Sequence, residues 1–507
     1  MGKQAILGTT DRARRNLTWM FKAMKIHLPY PDMIMNLGYP SKSLVVFVTI
    51  IVGTSTAWLL VNQRYFLAVP MAILCLFIGL CNWRWSVYGL LIYLPFAGIP
   101  ILAMYPSKTP LLFKDLFFVI PAYLGFVAMY VFRREPIRFS GVPVWLMGGF
   151  GAVVCVQLFN PNLNNWLVGL IGVKVWLFYI ALYLLGYHLI NTKEELVKLT
   201  KIFLVVSVIP CLIGIVQAIL VYMGYDYVVY QLYGNRAAAA TQNFFQFNLP
   251  GGGFLRRLPS TFQFVTQYYG YIMSMLPLAA AMWMIKKGKS RIYLGVFLAI
   301  LISLAGFVSG ARRAFLLIPV FWLLFSLFSG GLSSITRSVV MTAIAVLLTL
   351  NILGAQLSGI YEPIRELTVL YSRTTVTKDF IEAVKTAPVG IGTGMSTNPA
   401  RHAFSNPSQF RWFSENYYAK AVYELGIGGL LILVVLFLGI LMRGHSTCRV
   451  LQDPVLRVFS AAFLAYFVVI MIDSAKAQPL DIDPVNVYFW LFAGLLAKLR
   501  SLDLIHK

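Results

Sequence analysis

The sequence predicts an all-α, polytopic integral membrane protein with about fourteen transmembrane helices and two long outer loops. Three observations carry that expectation. Of the 507 residues, 59% are hydrophobic and 12% charged, against roughly 25% charged in soluble domains, and the mean hydropathy is +0.75. The apolar residues fall into runs of roughly 17–25, the length that crosses ~30 Å of hydrocarbon. Lys and Arg alternate from loop to loop as membrane topology demands.

In chain order, residues 1–42 come first as a basic, amphipathic cytoplasmic segment, too long and without the small-residue cleavage pattern of a signal peptide. Leu17, Met20, Phe21, Met24 and Leu28 share one helical face, with Arg12, Arg14, Arg15, Lys22 and Lys25 around it. The segment is either an interfacial helix on an anionic inner leaflet or a disordered basic tail. Residues 43–507 form a single transmembrane domain. Its apolar runs lie near 44–61, 66–83, 86–104, 112–132, 143–159, 166–189, 202–223, 264–284, 292–309, 314–331, 338–357, 419–442, 458–473 and 484–498.

With the N-terminus in the cytoplasm, the inner loops collect Arg133, Arg134, Lys193, Lys198, Lys201, Lys286, Lys287, Arg443, Arg449, Arg457 and Arg500. The short outer loops hold little beyond Arg64, Lys108 and Lys476. Both termini are therefore expected inside. The same bias accounts for the net charge of +24 without a nucleic-acid partner. Cys75, Cys81, Cys155, Cys211 and Cys448 have no metal-ligand spacing and read as small apolar residues.

Two outer loops are long, at about 224–263 and 358–418. Their aromatics, glycine turns and mixed charge point to ordered, functional loops. No internal repeat of the kind that marks secondary transporters is visible. The outward arginines break the topology rule: Arg236, Arg256 and Arg257; Arg312 and Arg313; Arg365, Arg373, Arg401 and Arg411. A guanidinium is a planar fork of donors that suits phosphate and keeps its charge. Such a cluster at an outer leaflet suits a diphosphate headgroup. Solvated loop arginines, some paired with Glu362, Glu366, Asp379 or Glu382, are the alternative. That alternative is weakest for Arg312 and Arg313, which end an apolar helix in a very short turn. Lys174, inside an apolar run, is either functional or a snorkelling side chain.

Candidate acids and bases are few. Glu415, in Ser414-Glu415-Asn416-Tyr417-Tyr418, is either a proton acceptor for a hydroxyl or an acid favoured by a helix N-terminus. His402 is the one histidine expected outside. No HExxH, DxD or Walker lysine is present, and Gly251-Gly252-Gly253 lacks the following Lys-Ser/Thr of a phosphate loop. Neither a metal nor a cofactor is expected.

Four stretches, in this order, resemble the O-antigen ligase and polysaccharide polymerase superfamily of bacterial inner-membrane proteins. They are Arg257-Leu258-Pro259-Ser260-Thr261-Phe262, Ser309-Gly310-Ala311-Arg312-Arg313-Ala314, Ala387 to Gly394 (a Pro-x-Gly-x-Gly turn), and Glu415-Asn416-Tyr417-Tyr418 followed by Glu424-Leu425-Gly426. They span roughly residues 255–440; the first 200 residues match only as hydrophobic helices. The resemblance implies a metal-independent, GT-C-like glycosyltransferase of the inner membrane. Its expected substrates are a polyprenyl-diphosphate-linked glycan donor and a glycan acceptor, with flippase and chain-length regulator proteins as possible partners. Arg257 and Arg312 match the family arginines that hold the diphosphate. Arg256, Arg313, Arg236, Arg373, Arg401, Arg411, Lys174, Asn416 and Tyr417 join them as substrate-binding candidates; Glu415, Arg312 and His402 are the catalytic ones. Ligases carry a histidine where this chain has Glu415, and the family usually has Gly where it has Arg313. The first departure favours a polymerase over a ligase or oligosaccharyltransferase. A small-anion transporter or flippase is the reading from another class.

Overall fold

In hydrocarbon every backbone N–H and C=O must be satisfied within the chain, and for uninterrupted runs of Leu, Val, Ile and Phe the helix does this. The computed structural model describes residues 68–104, 109–133, 144–163, 165–225, 227–229, 246–248, 254–285, 289–330, 373–403 and 414–505, with isolated positions at 336, 339–340, 342–347 and 412. All belong to the unit Gly53–Lys507. Segment 1–42, the run at 44–61, most of that at 338–357, and Arg236, Arg365 and Arg411 lie outside the described residues.

The helices are α1 (Ala68–Cys81), α2 (Trp83–Tyr93), α3 (Gly98–Ala103), α4 (Ile120–Arg133), α5 (Val144–Gln157), α6 (Trp166–Leu177), α7 (Leu182–Leu189) and α8 (Lys193–Tyr222). There follow α9 (Val265–Met284), α10 (Lys289–Val308), α11 (Ala314–Ser329), α12 (Arg373–Thr386), α13 (Asn398–Ala403), α14 (Tyr417–Val450), α15 (Pro454–Asp473) and α16 (Val485–Ile505). Polar residues cap them where the apolar pattern begins. Asn82, Asn165, Thr192, Asn416 and Asp453 each accept a hydrogen bond from the first free N–H groups of the helix that follows.

Among the described residues five helical stretches are long and apolar enough to cross a membrane: Thr109–Phe132, Trp166–Leu189, α8, α14 and α15. Their outward faces are apolar too. Val205, Ile209, Leu212, Val216 and Ile219 form one exposed stripe along α8, and Leu431, Val435, Leu438 and Met442 another along α14. Monomers in water avoid patches of this length, whereas lipid tails solvate them. The chain has the character of a membrane protein.

The centre is built from α9, α15 and α16, where Tyr466, Phe463, Phe489 and Phe492 interlock. Helices α7 and α16 touch through glycine. A Cβ at Gly494 would meet the Tyr183 carbonyl at 2.1 Å, and one at Gly186 the Leu491 carbonyl at 2.2 Å. Small residues of this kind let helices approach closely where no hydrophobic force drives them together.

Several expected runs are broken. The run at 86–104 is interrupted by a 3-10 turn at Leu94–Phe96, where Pro95 removes a backbone donor. The run at 166–189 passes from α6 to α7 through turns closed by three-residue backbone bonds, Ile180 N–H to Leu177 O and Leu182 N–H to Tyr179 O. Gly426 interrupts α14 with φ 78° and ψ 175°, a conformation open to glycine. The turn of 388–392 fills that break: Ile391 N–H donates to Tyr423 O, Gly392 N–H to Glu424 O, and Ile427 N–H to Pro388 O. A Cβ on Gly426 would sit 2.5 Å from the Val389 carbonyl carbon. The all-α expectation also omitted one element. The first long loop holds an antiparallel ribbon, β1 (Gln246–Asn248) with β2 (Phe254–Arg256).

Candidate functional site

Contacts between the connecting turns gather them into two groups, at opposite ends of α14 and α15. At one end Lys193 pairs with Asp453 at 2.6 Å, Asp503 accepts from Gln452 and Asp453 N–H, and Arg84 donates to His188 O at 3.0 Å. These belong to the turns that the sequence marks as lysine- and arginine-rich. The other end holds the turn before α9, the turn between α10 and α11, the start of α14 and the turn between α15 and α16. Leu258 N–H donates to Ser309 O at 2.9 Å and Tyr417 N–H to Ser474 O at 2.9 Å; Gln478 Nε2 donates to Ser414 O at 2.7 Å.

The turn carrying Arg257 is fixed from several sides. Ser260 takes φ 53°, sparsely populated for a residue with a Cβ. Gln217 of α8 holds it on both sides, accepting from its N–H at 3.0 Å and donating to its C=O at 3.3 Å. The Ser260 hydroxyl donates to Pro210 O, and that of Thr261 to Pro95 O. Helix α8 and the 3-10 turn after α2 therefore position one arginine turn.

That turn brings Arg257 within electrostatic reach of Arg313, Arg312 and Glu415. Burial, together with the positive Arg313 and Arg312, pulls its guanidinium pKa down to about 10; Glu415 acts in the opposite sense. Arg257 stays charged at neutral pH, in a setting that disfavours its charge. Among the described residues its guanidinium makes no hydrogen bond or ion pair. A partly buried positive cluster of this kind gains stability from an added anion.

Arg313 is already engaged. Its Nη1 lies 2.7 Å from both oxygens of Asp473, a carboxylate 2% exposed at the end of α15, and its guanidinium sits over the Tyr269 ring at 5.2 Å. Arg312 is half-buried beside it, and Glu415 is exposed. Asn416 caps α14 through Tyr418 and Ala419 N–H. Tyr417 is buried with its ring 5.1 Å from that of Trp176. Lys174 pairs with Asp115 at 2.6 Å. Arg256 closes β2, and Arg401 is exposed on α13. Arg373 and His402 fall in α12 and α13, their side chains outside the described residues; Arg236 and Arg411 lie outside altogether.

Four sets of contacts escaped the sequence reading. Asp473 is the counter-charge of Arg313. Lys420 of α14 and Asp481 form an ion pair with side chains 0% and 1% exposed. Lys114 joins Asp115 to Asp483. Glu424 ties three segments together, accepting from Trp176 Nε1 at 2.7 Å, Ser396 N–H at 2.7 Å and Thr397 Oγ1 at 2.9 Å. Lone charges within or at the edge of apolar runs were the available signal. The glycine turn and the Glu424-Leu425-Gly426 element, separate in sequence, are thus one packed unit. Neither a family model nor a curated protein matches this chain.

Proposed function

We propose that this chain is a metal-independent glycosyltransferase that polymerises polysaccharide repeat units, of O-antigen or exopolysaccharide, on a polyprenyl-diphosphate carrier. It works at the outer face of a bacterial inner membrane, with both termini in the cytoplasm and about fourteen spans in a GT-C-like arrangement. One observation carries this reading. The Arg257 turn is bonded to the turn of Arg312 and Arg313 through Leu258 N–H and Ser309 O, and Arg313 pairs with Asp473 beside Ser474, whose carbonyl holds the start of α14 next to Glu415.

The chemistry balances without a metal. An acceptor hydroxyl oxygen bonds to the anomeric carbon of the donor glycan as the bond from that carbon to the diphosphate oxygen breaks. The electron pair leaves on the diphosphate, and the hydroxyl proton passes to Glu415. Guanidinium groups held in place before reaction stabilise the charge that develops on the leaving diphosphate. Asp473 fixes one of them in orientation.

The break in α14 and the buried Lys–Asp pairs favour a carrier, because carriers bind ions where helices are discontinuous. Here the freed backbone groups are taken up by the 388–392 turn, and the lysines and aspartates pair with each other. The transferase reading therefore stands ahead.

Glu415→Gln is expected to lower turnover about 10²-fold or more, the usual share of a general base. The assay follows lipid-linked chain growth by the purified protein. Unchanged turnover moves the proton-accepting role to His402. Polymerase and ligase separate by product analysis in a deletion strain. Loss of chain length on the carrier marks a polymerase, and long carrier-bound chains that never reach an acceptor mark a ligase.

A further inference from the structure

Near the end of the bundle opposite the Arg257 turn, two arginines belong to helices rather than to turns. Arg443 lies in α14, about two turns before Val450, and Arg500 lies in α16, little more than one turn before Ile505. Both are half-buried. Arg443 is within electrostatic reach of Arg500 and of Tyr183 and Tyr187, which share one face of α7. Lys498 adds a third cation, its Nζ 5.1 Å from the centre of the Tyr187 ring.

Two acids at this end, Asp453 and Asp503, are taken elsewhere. Asp453 pairs with Lys193 at 2.6 Å, and Asp503 accepts from Gln452 N–H at 3.1 Å and Asp453 N–H at 3.0 Å. Among the described residues neither the Arg443 nor the Arg500 guanidinium makes a hydrogen bond or an ion pair, and Arg443 Nε is enclosed without an acceptor. A solvated arginine in a loop needs no partner. Burial strips water from a guanidinium and sharpens its repulsion of a second one. A bound anion offsets both effects.

Depth identifies the anion. The apolar run of α14 ends at Met442, so Arg443 stands where hydrocarbon gives way to headgroups. The exposed stripe of Leu431, Val435, Leu438 and Met442 leads up to it. That stripe is about 16 Å long, close to half of the ~30 Å hydrocarbon core and so to one leaflet. We infer that Arg443 and Arg500 form a site for the phosphate of an anionic phospholipid in this leaflet, with an acyl chain along the α14 stripe. Guanidinium groups suit phosphate oxygens, and basic pockets between spanning helices are the usual seat of such headgroups. Two unpaired positive charges select a headgroup of net negative charge, since a zwitterionic lipid brings a cation of its own. The site is separate from the arginines of the proposed transferase centre and does not depend on that reading.

The test follows thermal unfolding of the full-length protein in detergent micelles doped with phosphatidylglycerol or, at equal mole fraction, phosphatidylcholine. Phosphatidylglycerol is expected to raise the midpoint further. Arg443→Gln and Arg500→Gln should each weaken its apparent affinity about fivefold, the contribution of one basic residue beside anionic lipid. The two together should erase the difference between the lipids. In phosphatidylcholine these variants are expected to melt at or above the parent temperature, because they remove repulsion and strand no carboxylate. Each single variant is read alone, so the result does not hang on the double one folding. Arg449→Gln, an exposed arginine of the same helix, should keep the full lipid preference, which separates a site from general surface attraction. Glycerol 3-phosphate without lipid should give no comparable shift. Equal shifts from the two lipids, a preference that survives the arginine substitutions or falls equally in Arg449→Gln, or the same shift from glycerol 3-phosphate overturns the assignment.

Discussion

Replacing Arg312 by alanine is expected to abolish glycan-chain formation, about a 10³-fold loss or greater, while the protein still inserts and unfolds at the parent temperature. Removing one preorganised donor aimed at developing charge costs about 10²–10³ in turnover. Arginines that stabilise a phosphoryl transition state contribute about 10³–10⁵. Arg313 holds Asp473, so its removal strands a carboxylate 2% exposed and mixes lost stability with lost chemistry. Arg257 belongs to the turn that Gln217, Pro210 and Pro95 brace. The measurement is chain growth on a lipid-linked repeat unit, set beside a melting curve of the same preparation. Full activity with an unchanged melt removes Arg312 from the site.

Asp481→Ala is expected to be the most damaging single change for stability, about 3–5 kcal/mol, because it leaves the fully buried Lys420 ammonium without its counter-ion. Natural domains have only about 5–15 kcal/mol in hand. Lys420 also lies 4.4 Å from the centre of the Trp176 ring, and Trp176 donates to Glu424, so the disturbance reaches the glycine turn. Replacing both partners, Lys420→Met with Asp481→Leu, should recover most of the loss, since a well-packed apolar pair often matches a buried ion pair. Thermal unfolding of the two variants in one detergent makes the comparison. A single variant as stable as the parent contradicts the burial argument.

What the sequence made legible follows from local physics. Hydrocarbon thickness sets the length of apolar runs, and polar caps mark their ends. Thr192, Asn416 and Asp453 stand where the patterns start. Arg312 stood out because a charge in a very short turn at the end of an apolar helix has no local reason to be there. What stayed hidden depends on partners distant in sequence. Nothing near Gly426 announces that the 388–392 turn will insert beside it, and a glycine in an apolar run reads as helix. Asp473 looks like the polar end of a span until Arg313, 160 residues away, is brought against it. Lys114 and Asp115 look like an interfacial pair until Lys174 and Asp483 extend them into a chain. Register across the first long loop gives β1 and β2, and their three-residue length leaves too little alternation to detect.

The claim beneath the mechanism is that the arginine end of the bundle recognises a pyrophosphorylated lipid. Equilibrium binding of a short-chain polyprenyl diphosphate and its monophosphate to the protein in nanodiscs tests it most directly. The account predicts that the diphosphate binds at least tenfold tighter, about 1.4 kcal/mol, and that Arg312→Ala erases the difference. Equal affinity for the two lipids, or a preference that survives the substitution, would contradict it.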